Sequence, residues 1–493
     1  MLRQFFLILT LPLTLSAQET KIQPNDTSSG DFFGQSVDCW QNFAVASSPK
    51  NLNLGAVYIF EKLGMNWNET TKLTASDGSL GDDFGTSVSI ESNLVVVGSQ
   101  NDSTGSVYIF EKQNSTWNEA AKLIPNDGQE FDKFGSSVSI SGSFIAIGSK
   151  DNDTNGNNSG AVYIFEKVGN SWVQNSKITA SDGSANDRFG NSVKIENDFL
   201  VVGASGNSDF GGNSGSAYIF RKIGSSWIEE AKLLPNDGQL GAFFGNSVSI
   251  SDSTVLVGAF RDFKNGIPEG SAYIFQKSGN IWSQEAKLEG ADITDNDFFG
   301  SSVEIKNDLA FVGTYWGKAN GIHSGTVYIF EKSGNLWNFE SKLSASDGAS
   351  LDHFGGSVAF DNGNLLVGAA YDDDNGMNSG SAYIYDLNSV VSVNEGQNLF
   401  TPKGFTLEQN FPNPFNPTTT INYELETTFF KNAKIQIFNV LGRKIREFKL
   451  INPKGSVVWN GEDISGNRVA SGIYFYRLKF GKKSKIRKMI LLK

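Results

Sequence analysis

Seven times along the chain a Phe-Gly pair is followed, after a short apolar run, by a Gly-Ser/Ala/Thr-Val/Ala-Tyr-Ile block. The pairs are Phe33-Gly34, Phe84-Gly85, Phe134-Gly135, Phe189-Gly190, Phe244-Gly245, Phe299-Gly300 and Phe354-Gly355, and from the third onward they recur every 55 residues. Such a chain is an array of near-identical units, none of which can bury its apolar face alone, so the fold follows from how the units stack.

Each unit reads as four short strands. In the second, Gly85 to Ile90 alternates with period two, Leu94 to Gly98 is continuously apolar, Gly105 to Phe110 opens a third strand, and Trp117 to Leu123 forms a fourth. Runs rich in β-branched and aromatic residues, bounded by Gly, Asn, Asp and Ser, are strand signals. Continuous apolar runs imply that both faces of the sheet are covered, as they are when a four-stranded blade is sandwiched between two others in a propeller.

The chain termini decide between an open array and a closed ring. Units one to six are each followed by a Trp…Lys-Leu/Ile strand, at Trp67, Trp117, Trp172, Trp227, Trp282 and Trp337, whereas the seventh ends at Tyr383-Ile384-Tyr385 without one. The missing strand lies at the other end, where Lys21-Ile22-Gln23-Pro24-Asn25-Asp26 matches Lys122 to Asp127. Residues 18–23 are therefore expected to close the last blade and remove the edge an open array would expose. The fold class expected is all-β: a seven-bladed β-propeller followed by a small antiparallel β-sandwich.

The boundaries follow. Arg3, the apolar run Phe5 to Leu15 and the small residues Ser16-Ala17 read as a cleaved secretory signal over residues 1–17, and no other run is long enough to anchor the mature chain in a membrane. The propeller spans 18–388, a linker 389–404, and a C-terminal domain 405–493. Cys39 is the only cysteine, so no internal disulfide can form; it reads as a small buried hydrophobe on a strand. From Thr401 onward 17 Lys/Arg stand against 6 Asp/Glu, leaving 24 against 47 before it, so an acidic body carries a basic tail. The acidic body argues against nucleic acid as a partner.

The order Phe-Gly-x-Ser-Val, apolar-Val-Gly-Ala/Ser and Gly-Ser-Ala-Tyr-Ile-Phe, with Ala/Ser-Ser-Asp-Gly between units, resembles the FG-GAP repeats of integrin α-subunit propellers and their bacterial relatives. The resemblance implies a propeller from Lys21 to about Leu387 and, for function, adhesion or scaffolding. After the linker, Phe405 to Ile421, Ile435 to Asn439 with Leu441-Gly442-Arg443, Trp459-Asn460-Gly461, Ala470 to Leu478 and Lys488 to Lys493 resemble, in order, the type A C-terminal sorting domain of the type IX secretion system. That resemblance implies export by the type IX machinery through residues 405–493, and residence outside or on the surface of a Gram-negative cell.

An Asp two residues before Phe-Gly, at Asp31, Asp82, Asp132, Asp187, Asp297 and Asp352 but replaced by Ala242 in the fifth unit, is expected to accept backbone N–H bonds in the inter-blade turn. In the loop between the second and third strands of unit three, Asp151, Asp153 and Asn155 precede Gly156 at the spacing of a calcium loop, although the twelfth position is Val162. Calcium at these three residues is the one cofactor this pattern suggests, and none is required. The integrin relatives carry their calcium loops between strands one and two, a connection as short here as Ile90-Glu91-Ser92-Asn93-Leu94, so those sites do not carry over. The loops entering strand one and those joining strands two and three share one rim, which is expected to be acidic and to bear the ligand.

No phosphate loop, nucleophile elbow or metalloprotease helix occurs, and no catalytic residue is assigned. The residues that break the repeat pattern on the rim are Arg261 and Lys264 in unit five and Tyr315, Trp316, Lys318 and His323 in unit six. They are the candidate ligand-contact residues. The function expected is a secreted or cell-surface binding or adhesion module for an extracellular glycan or protein. The alternatives are a polysaccharide hydrolase or lyase, and a structural surface-layer component.

Overall fold

The computed structural model describes residues 18–290, 292–387, 405–425, 434–439, 443–450, 454–464, 466–480 and 483–492. The expected signal and linker lie outside the described residues. Two compact units emerge, Met1–Gln397 and Asn398–Lys493, and each is taken by itself.

The first unit contains seven four-stranded antiparallel sheets. Six run in chain order, as in the second blade: Phe84–Glu91, Leu94–Ser99, Ser106–Gln113 and Thr116–Leu123. The seventh is built from Ser357–Asp361, Asn364–Ala369 and Ser381–Asp386, and its outer strand is Gln18–Ile22, paired Gln18↔Asp386 through Ile22↔Ala382. The N-terminal strand thus closes the ring, one residue shorter than its sequence suggests. The fifth blade adds a small hairpin, Phe263–Lys264 with Ile267–Pro268, in the loop between its second and third strands.

The core is not one mass but seven layers, each filled by the facing sheets of two adjacent blades. The layer between blades one and two joins Val45, Val57, Ile59 and Leu73 to Phe84, Val88, Val97 and Tyr108. The layer that closes the ring joins Ile22, Leu366 and Ile384 to Val37, Ala46 and Tyr58. This is why the second strand of each blade is apolar throughout: all six residues of Leu94–Ser99 are buried, with a neighbour on both faces. The repeated Phe is wholly buried; Phe84 packs edge-on against Tyr108 and Phe110 at 5.4 and 6.0 Å. The outer Trp residues bridge blades, as where Trp117 meets Phe43 of the preceding blade at 5.9 Å.

Blades approach closely enough to exclude a side chain. A Cβ on Gly98 would lie 2.1 Å from the carbonyl oxygen of Gly135 in the next blade. That oxygen instead accepts from Ser87 Oγ at 2.9 Å, and the same Ser-to-Phe-Gly bond recurs from Ser137, Ser192, Ser247 and Ser302.

The second unit has two antiparallel sheets. Phe405–Leu407, Thr419–Leu425 and Lys454–Trp459 form one, and Lys444–Lys449, Lys434–Asn439, Gly472–Phe480 and Lys483–Leu491 the other. Trp459, Ile421 and Tyr423 from the first and Ile435, Tyr476 and Met489 from the second belong to a single buried cluster. No helix among the described residues is long and apolar enough to cross a membrane.

Candidate functional site

Each connection between blades is fastened by the same three side chains. The hydroxyls of Tyr58, Tyr108, Tyr163, Tyr218, Tyr273, Tyr328 and Tyr383 donate to Asp26, Asp77, Asp127, Asp182, Asp237, Asp292 and Asp347 at 2.7–3.0 Å. A lysine on the outer strand pairs with each of these aspartates: Lys72, Lys122, Lys177, Lys232, Lys287, Lys342 and, closing the ring, Lys21. The aspartate before Phe-Gly accepts the backbone N–H three residues earlier in all six blades that have one, at 2.6–2.8 Å except in blade three, where it is 3.0 Å. In blade five the Gln239 amide, donating to Phe263 O at 2.9 Å, does comparable tethering beside Ala242. The rim acids that recur are therefore engaged in holding the blades.

Inside these clasps lies the innermost ring of this face, formed by the residue before each Phe-Gly and the two residues after each second strand. The former are Phe32, Asp83, Lys133, Arg188, Phe243, Phe298 and His353, all in the left-handed region with φ between 54° and 60°. That conformation is costly for bulky side chains and persists only where the surroundings enforce it. Here a turn bond from the residue three further on closes each one, as in Thr86 N to Asp83 O at 3.0 Å.

The ring divides into two arcs. Over blades five, six, seven and one it is aromatic: Phe243 to Phe260 (5.3 Å between centroids), Phe260 to Phe298 (5.5 Å), Phe298 to Trp316 (4.7 Å), Tyr315 to His353 (5.4 Å), His353 to Tyr371 (4.4 Å) and Tyr371 to Phe32 (5.1 Å). Tyr371 is 41% exposed. Burial, assisted by the nearby His323, holds His353 well below its ordinary value, at about 4, so it is neutral at pH 7. The Trp316 indole N–H and the Thr314 hydroxyl beneath the arc are buried without a hydrogen-bond partner.

Over blades one to four the ring is polar. Lys50 pairs with Asp83, the Asn101 amide donates to Asp83 at 2.7 Å, and Lys133 donates to Asn101. Beyond them stand Lys150 and Arg188. Burial pulls the Lys150 ammonium below its ordinary value, and Arg188 and Lys133 push it further down, against the opposing charge of Asp151.

The comparisons with known proteins fit this geometry. The FG-GAP repeat model matches residues 17–60, 67–110, 117–165, 172–220, 227–275, 282–330 and 337–385. The chain belongs to the FG-GAP repeat family. The repeat in sequence starts on the outer strand of one blade and ends on the third strand of the next, which is why the first begins at the closing strand. Residues 409–492 match the secretion system C-terminal sorting domain. A sorting domain of this type hands the chain to the type IX secretion machinery and directs it outside the cell or to its surface. Human integrin alpha-11 is 27% identical over 137 residues, a match spanning 24% of this chain and 11% of the integrin. Among solved structures, PorZ, a surface component of the type IX secretion system of Porphyromonas gingivalis, is 14% identical with a TM-score of 0.36 (93% of this chain, 65% of that one). The WD40 domain of Toxoplasma gondii coronin is 10% identical with a TM-score of 0.45 (77% and 88%).

The FG-GAP repeats place the sequence candidates unequally. Tyr315, Trp316 and His323 meet in the aromatic arc, His323 stacking on Trp316 at 4.3 Å, and Arg261 lies over the Phe243 ring at 5.9 Å. Lys264 instead pairs with Glu289 at 2.8 Å on the blade-five hairpin. Lys318 holds the blade-six connection, donating to Thr294 Oγ1 at 2.8 Å and standing 3.5 Å from Asp297. Phe32, Phe243, Phe260, Phe298, His353, Tyr371, Lys150 and Arg188 are ring residues the sequence reading passed over. Aligning the seven residues before Phe-Gly as one column, and the residues just after each second strand as another, would have exposed them.

Asp153 accepts from Asn158 N at 2.7 Å, and the Asn155 amide turns away to Ala180 O. Among the described residues no three His, Cys, Asp or Glu side chains converge to hold a metal.

The opposite mouth of the channel has a cavity of about 250 Å³ lined by the first strands. Its equivalent positions read Asp38, Ser89, Ser139, Lys194, Ser249, Glu304 and Ala359, and Lys194 reaches across the axis to Glu304 at 3.0 Å. Glu196 and Lys306 form a second pair at 3.2 Å.

Proposed function

We propose that this type IX-exported propeller is a binding or adhesion module at the cell surface, and that its ligand seats on the channel mouth ringed by Phe32, Arg188, Arg261, Tyr315, Trp316, His323, His353 and Tyr371. The observation that carries this reading is a break in symmetry: at this ring the repeating blades present an aromatic arc on one side and a polar arc holding Lys50, Lys133, Lys150 and Arg188 on the other. A purely structural array has no need of five residue types at one position of its seven blades. Screening the exported chain against immobilised glycans and matrix proteins, with and without calcium, tests it. Binding weakened by Trp316→Ala and Tyr371→Ala supports the mouth, whereas binding indifferent to both places the ligand elsewhere.

A second reading, a polysaccharide hydrolase or lyase, would draw on the neutral imidazole of His353, whose ring packs against that of Tyr371 with centroids 4.4 Å apart. Loss of polymer length during the same screen, abolished by His353→Gln, would support it.

A further inference from the structure

We propose that the ligand of this mouth is an anionic saccharide polymer, its sugar faces resting on the aromatic arc and its carboxylate or sulfate groups meeting Lys150, Arg188 and Arg261. The proposal rests on the binding reading above and adds the chemistry of the ligand.

The charge pattern is the first ground. The part of the chain before Thr401 carries 24 Lys/Arg against 47 Asp/Glu, so a polyanion is repelled by the surface at large and can settle only where cations are concentrated. Elsewhere in the propeller the lysines are occupied: the seven clasp lysines hold aspartates, and Lys62, Lys112, Lys167, Lys277 and Lys332 hold carboxylates across blades. Among the described residues the side chains of Lys150 and Arg188 have no hydrogen bond or ion pair, that of Lys133 has only the Asn101 amide, and that of Arg261 only the Phe243 ring. On this arc the charges of Arg188 and Lys133 both act against that of Lys150, with Asp151 opposing them. Like charges held together without counter-ions are unfavourable in the free protein and favourable once an anion arrives.

The aromatic arc is the second ground. It adjoins the cations through Arg261 and Phe243 and leaves Tyr371, Trp316 and Phe32 partly open. Pyranose rings present flat C–H faces to such side chains, while their carboxylates and sulfates suit the planar guanidinium of Arg188 and Arg261. Thr314 Oγ1 and Trp316 Nε1, in and just before the blade-six part of the arc, are buried and unpartnered. An acidic polypeptide would satisfy the cations but would bring backbone N–H and C=O groups that the aromatic rings of the arc cannot pair.

The test uses the exported chain and four probes: a polyuronate, a chondroitin sulfate, neutral dextran and poly-glutamate, titrated calorimetrically at about 50 and about 300 mM salt. The polyuronate or the chondroitin sulfate should bind, more weakly at the higher salt, with dextran and poly-glutamate at least about tenfold weaker. Lys150→Gln with Arg188→Gln, and separately Trp316→Ala, should each cost about tenfold, while Arg221→Ala, a cation stacked on Phe199 away from the mouth, should cost nothing. Unchanged melting curves establish that the variants are folded. Equal binding of poly-glutamate that ignores Trp316→Ala overturns the saccharide and leaves a charge-only site. Equal binding of dextran that ignores the cation variants overturns the anion, while the mouth as ligand face stands. Failure of both anionic glycans to bind overturns the proposal; if the matrix-protein screen is also blank, the binding reading falls with it.

Discussion

Lys21 Nζ lies 2.9 Å from Asp347 Oδ2, although 326 residues separate them. The same ammonium reaches Asp372 at 3.1 Å and pairs with Asp374, so the strand Gln18–Ile22 is pinned to the last blade by three carboxylates as well as by its backbone ladder. Burial opposes the charge on Lys21, but the three carboxylates outweigh it and hold its pKa above the ordinary value. Asp372 is nearly inaccessible, so Lys21→Ala strands a buried charge and should lower stability by about 2 kcal/mol. Lys342→Ala, whose partner Asp292 is half exposed, should cost well under about 1 kcal/mol. Deleting Gln18 to Pro24 should lower the melting temperature markedly or cause aggregation through the bared strand edge. An unchanged melt would refute the closed ring.

The seven clasps make the propeller acid-sensitive. Lys122 and Tyr108 lower the pKa of Asp77, and at Asp127, Asp182 and Asp347 the lysine and tyrosine outweigh a burial effect that acts the other way. A carboxylate with a depressed folded pKa contributes stability that is present above its unfolded value of about 3.9 and lost as pH falls through the folded value. Thermal melts followed downward from pH 5 should therefore show a steep drop below about pH 4. Tyr108→Phe with Tyr163→Phe should make that drop shallower.

His353 acts in a higher window. Its folded pKa of about 4 lies below the ordinary 6.5, so the unfolded chain binds the proton first. The stability of the neutral form is complete above about pH 6.5 and declines towards pH 4, by about 2 kcal/mol in all. His353→Gln should flatten the melting temperature over that interval, and an unaltered profile would show that His353 is not buried neutral against Tyr315 and Tyr371.

The aspartates before Phe-Gly are equivalent in sequence but unequal in setting. Asp132 is buried and accepts from Gln129 N at 3.0 Å and Asn152 Nδ2 at 2.7 Å, whereas Asp82 is partly open and accepts from Ser79 N alone. Asp132→Ala should cost about 2–3 kcal/mol and Asp82→Ala about 1 kcal/mol, read from urea unfolding. Equal losses would mean that the turn bond carries the whole effect.

Much of this architecture is legible because repetition turns one weak strand signal into seven concordant ones. The closing strand was visible because Lys21 to Asp26 duplicates Lys122 to Asp127. The ring at the mouth was not, because its members are ordinary residues one at a time: Phe298 and Phe243 read as part of a Phe-Phe-Gly core motif until the turn places them at the mouth while Phe299 and Phe244 go inside. The acids misled in the opposite sense, since Asp77 or Asp347 looks solvated until Tyr108 or Tyr383 from the next blade is brought against it. Lys194 and Glu304, 110 residues apart on strands that otherwise carry Ser, gave no local sign of meeting.

That pair supports a prediction free of any ligand. Burial works against the charge of Lys194, but the carboxylates of Glu304 and Asp38 outweigh it and hold the ammonium above its ordinary pKa. Glu304 is nearly inaccessible and has no other cationic hydrogen-bond partner among the described residues. Lys194→Met should cost about 3 kcal/mol, because Glu304 and Asp38 are left facing each other in the channel. Lys194→Met with Glu304→Gln should recover at least half of that loss, giving a coupling energy of about 1–2 kcal/mol in a double-mutant cycle by chemical denaturation. Strictly additive losses would mean that the two groups are each solvated by channel water and that the bond across the axis contributes nothing to holding blades four and six together.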